Sequence, residues 1–108
     1  MNNGHFFQNL PSALPEEIIE VLIAHPSLRI ERIVSHGQHS PDGFWYDQDE
    51  HEWVMLLAGA ARLGFADGRM LEMTPGCHVL IAAHERHRVE WTAPDADSIW
   101  LAVFYRDG

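Results

Sequence analysis

Between Phe44 and Gly59 the chain reads FWYDQDEHEWVMLLAG, so Asp47, Asp49, Glu50, His51 and Glu52 stand directly before a strongly apolar run. Further on, PGCHVLIAAHERHRVEW places His84 and His87 just after a second apolar run. Carboxylates and imidazoles converging from different strands are ligands for divalent first-row metals. They are also groups that move protons near neutral pH. Charged side chains this close to a core are costly unless something neutralises or solvates them. Three uses are therefore open for the acidic stretch: a metal site, a catalytic acid, or the polar rim of a loop. The sequence contains no serine-nucleophile motif, phosphate-binding glycine loop or CxxC that would point to other chemistry.

The elements that must position these residues follow from composition and period. The 108 residues are 46% hydrophobic and 21% charged, which bounds the chain to one globular domain with a real core. Sixteen acidic against seven basic residues give a net charge of −9. That balance argues against nucleic acid and anionic membrane surfaces as partners. One cysteine, Cys77, excludes an internal disulfide and reads as an inert thiol entering an apolar strand. The opening MNNGHFFQNLPSALPEE has no signal-peptide pattern, and no apolar run is long enough to span a bilayer. The expected location is cytoplasmic.

LPEEIIEVLIAHP predicts one short helix. Pro15 suits its first turn, Glu16 and Glu17 suit the positive end of its dipole, and Pro26 ends it. Leu14, Ile18 and Leu22 supply its apolar stripe. Beyond Pro26 the period changes to strands: LRIERIVS, EWVMLL, AARLGF, RMLEM, HVLIA, HRVEWT and SIWLAVFY. Asp67-Gly68 and Pro75-Gly76 mark turns between them. Seven short strands at this spacing suggest a sandwich or barrel. Alternation puts His87, Val89 and Trp91 on one face of HRVEWT, where Trp91 could help line a small-molecule pocket. SIWLAVFY is apolar on both faces, so its outer side needs cover from the helix or from a second subunit.

The two chemistry-bearing stretches resemble the motifs of the cupin superfamily, the small double-sheet jelly-roll barrels. Its second motif runs Gly, five residues, Pro-x-Gly, two residues, His, three residues, Asn. Counted from Gly76, this chain places Ala82 for the proline, His84 for the glycine, His87 for the histidine and Trp91 for the asparagine. Its first motif runs Gly, five residues, His-x-His, three or four residues, Glu, six residues, Gly. Glu52 and Gly59 keep the second half, while the His-x-His half is absent. Counting back from Glu52 puts Tyr46 and Gln48, or Trp45 and Asp47, in its place. Asp47 is preferred because a carboxylate is the better metal ligand. Sixteen residues separate Gly59 from Gly76, as in compact microbial cupins.

The resemblance covers roughly residues 28–105 and is to small bacterial single-domain cupins. It implies an all-β fold, a single cupin double-stranded β-helix with one short N-terminal α-helix packed outside. Residues 1–27 would form the N-terminal segment and 28–108 the barrel. It also implies a site inside the barrel. Asp47, Glu52, His84 and His87 are the candidate ligands for a divalent transition metal: iron, manganese, zinc, nickel or copper. Asp49, Glu50 and His51 are expected at the rim. The expected function is binding of a metal, a small molecule or both inside the barrel, with specific activity open between a metal-dependent enzyme and a non-catalytic binding module. The alternative is a metal-free sensor or structural module in which Glu52 and His87 form a buried polar pair. A homodimer is expected.

Overall fold

In a computed structural model, which describes all residues except 2, 12, 13 and 108, eight strands form two antiparallel sheets. They are β1 (Ile18–His25), β2 (Leu28–Ser35), β3 (His51–Ala58), β4 (Ala61–Phe65), β5 (Met70–Met73), β6 (His78–Ile81), β7 (His87–Thr92) and β8 (Ser98–Tyr105). One sheet has the order β1-β2-β8-β3-β6 and the other β5-β4-β7. Alternation supplies the core. The inward residues Val54 and Leu56 of β3, Leu63 and Phe65 of β4, and Trp100, Ala102 and Phe104 of β8 meet between the sheets, all buried. Burial of each large side chain contributes about 1.5–3 kcal/mol.

The expected helix is not formed. Its residues make β1, which pairs with β2 from Ile18 opposite Val34 to His25 opposite Leu28. The physical reason lies in the residues themselves. Ile18, Ile19, Val21 and Ile23 are β-branched, which costs a helix rotamer freedom and suits a pleated strand. A continuous apolar run satisfies a period of four as readily as a period of two, so Leu14, Ile18 and Leu22 do not decide between them. Pro26 and Ser27 are the two-residue turn of a β1–β2 hairpin, joining strands of one sheet. β1 occupies the sheet edge and leaves Ile19, Val21, Leu22 and Ile23 exposed. Among the described residues no helix is long and apolar enough to cross a membrane.

A turn and a bulge fix the frame around the site. Gly59, between β3 and β4, has a φ of +87°, and a Cβ there would lie 2.6 Å from the Ser98 Cα and 2.6 Å from the Asp97 carbonyl oxygen. Only glycine fits, and this anchors β3 against β8 seven positions beyond Glu52. In β7 the pairing with β4 jumps from Val89 opposite Leu63 to Trp91 opposite Arg62, which leaves Glu90 as a bulge. The bulge reverses the expected alternation. Thr92 turns inward and is buried, while Trp91 is exposed rather than sharing the face of His87.

Candidate functional site

Glu52 is the second residue of β3, paired with Ile81 of β6 on one side and Phe104 of β8 on the other. Its parity points it inward with Val54 and Leu56. His87 opens β7, and its backbone bridges to Tyr46 through Tyr46 N–H to the His87 carbonyl (2.7 Å) and His87 N–H to the Tyr46 carbonyl (3.2 Å). That bridge ties the segment before β3 to the opposite sheet. It also stacks the Tyr46 ring on the His87 ring, centroids 5.3 Å apart.

The imidazole of His87 sits between two acceptors. Its Nδ1 lies 2.9 Å from the Glu85 carbonyl oxygen. A carbonyl only accepts, so Nδ1 carries a proton. Nε2 then faces Glu52 Oε1 at 3.4 Å. Two lone pairs in that position would repel, so a proton placed between Nε2 and Oε1 favours the pair. Burial acts to lower the His87 pKa, but the hydrogen bond to Glu52, the Glu85 carbonyl and the charges of both glutamates outweigh it, and the net shift is upward. Gln48 Nε2 donates to the same Glu52 oxygen at 3.1 Å.

These groups open onto a cavity of about 240 Å³ between the sheets. Its apolar wall includes Val54, Leu63, Ile81, Val89, Trp100 and Phe104. Its polar lining is Glu52, His87, Tyr46 and Gln48, joined by Glu17 just before β1 and by Arg29 and Glu31 from β2. Burial raises the Glu17 carboxyl pKa; the Ser35 hydroxyl, which donates to Oε2 at 2.8 Å, works against this and the Glu52 charge adds to it. Burial likewise raises the Tyr46 phenol, reinforced by the charges of Glu17 and Glu52. Arg29 is already engaged: Nε donates to Glu31 at 2.7 Å, Nη1 donates to Glu50 at 2.9 Å, and the guanidinium lies 4.2 Å from the Phe104 ring centroid.

Of the four ligands expected from sequence, the structure brings Glu52 and His87 together and leaves Asp47 and His84 outside. Asp47 lies between the inward Tyr46 and Gln48 in an extended segment, so it points to solvent. There Asp47 Oδ1 meets His84 Nδ1 at 2.8 Å, and both side chains are exposed. His84 has a φ of +66°, in the left-handed region. It stands where the superfamily motif has its glycine, the residue that enters this region without penalty. Among the described residues no three His, Cys, Asp or Glu side chains converge as a metal-ligand group. Glu17 and Glu31 also line the cavity, but without three convergent donors the lining does not fit the expected divalent metal.

Of the residues expected at the rim, Asp49 is exposed while Glu50 and His51 are part-buried. Asp49 pairs with Arg106, Glu50 with Arg29, and His51 with Asp107. Sequence reasoning missed Glu17, Arg29 and Glu31 as cavity residues and passed over Tyr46 and Gln48 in favour of Asp47. The signal for Tyr46 and Gln48 was available: both share the parity of Glu52, whereas Asp47 does not.

Two facing antiparallel sheets of this topology, with Glu52 and His87 inside, define a double-sheet jelly roll of the cupin type. The chain is similar over 99% of its length to the whole of a proposed mannose-6-phosphate isomerase from Ralstonia eutropha JMP134, with 41% identity and a TM-score of 0.94. It also matches a cupin superfamily protein from Desulfitobacterium hafniense (14% identity, TM-score 0.75, 91% of this chain and 84% of that one). An RmlC-like cupin from Desulfovibrio desulfuricans matches at 11% identity and a TM-score of 0.73 over 96% of both chains. No protein-family model and no curated protein sequence matches the chain significantly. The chain has the cupin fold.

Proposed function

We propose that this cupin binds a small molecule of about ring size in the barrel, with the Glu52–His87 pair as its proton-bearing contact. The observation that carries this reading is that pair: two ionisable side chains, both buried, opening onto a cavity. The cavity exceeds the roughly 150 Å³ that suffices for benzene in an engineered protein core. An imidazolium held beside a carboxylate can donate and take back a proton, so the site is equipped for general acid–base chemistry on a bound molecule.

The activity proposed for the Ralstonia relative does not carry over to this cavity. A sugar phosphate brings a dianion, and three carboxylates line the cavity. Its guanidinium, Arg29, is already bound by Glu31 and Glu50. A homodimer remains part of the proposal, supported by the exposed apolar residues of edge strand β1, and light scattering of the purified chain tests it.

A fragment screen followed by NMR tests the binding reading. Binders from any charge class should shift the Tyr46 and His87 resonances and raise the thermal midpoint by mass action. A screen in which no fragment of any class perturbs those two residues overturns it.

A further inference from the structure

The geometry points to a small organic cation as the ligand: a primary ammonium group on an apolar or aromatic body, its nitrogen held between Glu17 and Glu52. This inference rests on the small-molecule reading of the same cavity. Three observations converge on it.

The first is an unmet acceptor. Glu52 is only 9% exposed and takes both of its contacts, from Gln48 and His87, on Oε1. Among the described residues nothing donates to its Oε2. Glu17 likewise uses Oε2 for Ser35 and has no donor on Oε1. Neither oxygen is among the fully buried unpartnered side-chain atoms, which are on Arg32 and Arg88, so a donor in the cavity can reach both. An alkylammonium brings three N–H donors and no acceptor. Two would meet the free oxygens of Glu17 and Glu52, and the Tyr46 phenol or the Gln48 amide oxygen is placed in the same cavity for the third.

The second is charge. Glu17, Glu31 and Glu52 face the cavity against Arg29 and His87. Arg29 is shared with Glu50, and His87 is matched by Glu52. Among the described residues Glu17 is therefore the cavity carboxylate without a cationic partner, and a positive group beside it would offset its charge.

The third is the wall. Trp100, Phe104 and Tyr46 line the same space, and aromatic faces stabilise ammonium groups once water is excluded. Phe104 already carries one cation in this way, the Arg29 guanidinium. The remaining wall is aliphatic and suits an apolar body. A phosphate or carboxylate ligand would meet unpaired like charge instead.

Matched probes test the class: benzylamine, benzyl alcohol and benzoate, titrated by NMR into the wild-type chain, Glu17→Gln and Glu52→Gln. The glutamine variants keep side-chain shape, and circular dichroism checks that they fold. Benzylamine should bind at least about tenfold more tightly than benzyl alcohol, with benzoate weakest. Each variant should weaken benzylamine about tenfold and leave the alcohol nearly unchanged. The inference is overturned if alcohol or benzoate binds as well as the amine, or if neither substitution affects the amine. It is also overturned if Mn²⁺ binds and excludes benzylamine, because the occupant is then an inorganic cation. Failure of all three probes while other fragments shift Tyr46 and His87 removes the cation inference and leaves the binding reading standing.

Discussion

Asp47–His84 and Glu52–His87 place the same two chemical groups together twice, each joining the stretch before or within β3 to the turn before β7 or to β7's first residue. The outer pair is the shorter, 2.8 Å against 3.4 Å. Its side chains are 51% and 67% exposed, however, while those of the inner pair are 12% and 6% exposed. At 4 Å, two unit charges attract by about 1 kcal/mol in water and about 4 kcal/mol at the effective dielectric of a protein site. Distance alone would rank the outer pair first; environment reverses the order. The same contrast explains why His87 has an upward-shifted pKa that its desolvation alone would have pushed down.

The largest expected effect comes from removing half of the inner pair. Glu52→Ala leaves His87 and Gln48 without their buried acceptor and should destabilise the fold by about 1–3 kcal/mol in urea unfolding at pH 7. The cost stays below the range for breaking a permanently charged pair because His87 can release its proton. Replacing both residues, Glu52→Leu with His87→Leu, should bring stability back to within about 1 kcal/mol of wild type, because burying two charges costs nearly as much as their attraction returns. If the double variant is as unstable as the single one, the pair is structural and the site reading loses its main support.

A smaller and more diagnostic effect is the pH dependence. The groups facing His87 are Glu52 from β3, Glu85 from its own turn and the stacked Tyr46. Because its folded pKa is raised, His87 contributes stability that is fully present below its unfolded pKa of about 6.5. That contribution is lost as pH rises through the folded value. Thermal stability should therefore fall as pH rises from about 6.5 through the folded value, and an NMR titration should place the His87 midpoint above about 6.5. Glu52→Gln should lower the midpoint and flatten the stability profile in that window. An unchanged midpoint in the variant would mean that Glu52 is not the partner that holds the proton.

Most of the barrel was legible because its strands are short alternating runs bounded by turns. LRIERIVS, HRVEWT and SIWLAVFY coincide with β2, β7 and β8 from first residue to last. Glu52 and His87 were legible because each is tied to a glycine at fixed spacing along a strand. Four features were hidden or misplaced, each for a physical reason. β1 was hidden because IIEVLIA is apolar at every phase but one, and only pairing with β2 selects the strand. Trp91 was misplaced because a bulge at Glu90 carries no sequence signature in an otherwise regular alternation. Asp47 was chosen on ligand chemistry, although strand parity favours Tyr46 and Gln48, and parity decides which side chains reach the cavity. Glu17 was lost with the helix, which would have used it at a helix end rather than at a cavity wall.

The smallest expected effect is on the outer pair, where two terms oppose each other. Losing an exposed carboxylate–imidazole contact costs about 0–1 kcal/mol, so Asp47→Ala should barely move the urea midpoint. His84→Gly loses the same contact but also removes a side chain from the left-handed conformation at φ +66°, a strain of roughly 1–2 kcal/mol for a residue with a Cβ. Glycine adds unfolded-state entropy that returns part of that gain. The net change should be between neutral and about 1 kcal/mol stabilising, with benzylamine binding untouched because neither residue lines the cavity. The outer turn would then be shaped by backbone geometry, with its ion pair incidental. If His84→Gly destabilises by more than about 2 kcal/mol, or if either substitution weakens ligand binding, the outer pair reaches the site through the Gln48 carbonyl that accepts the His84 N–H at 2.7 Å. The two pairs would then be one coupled unit, and burial alone would no longer explain their difference.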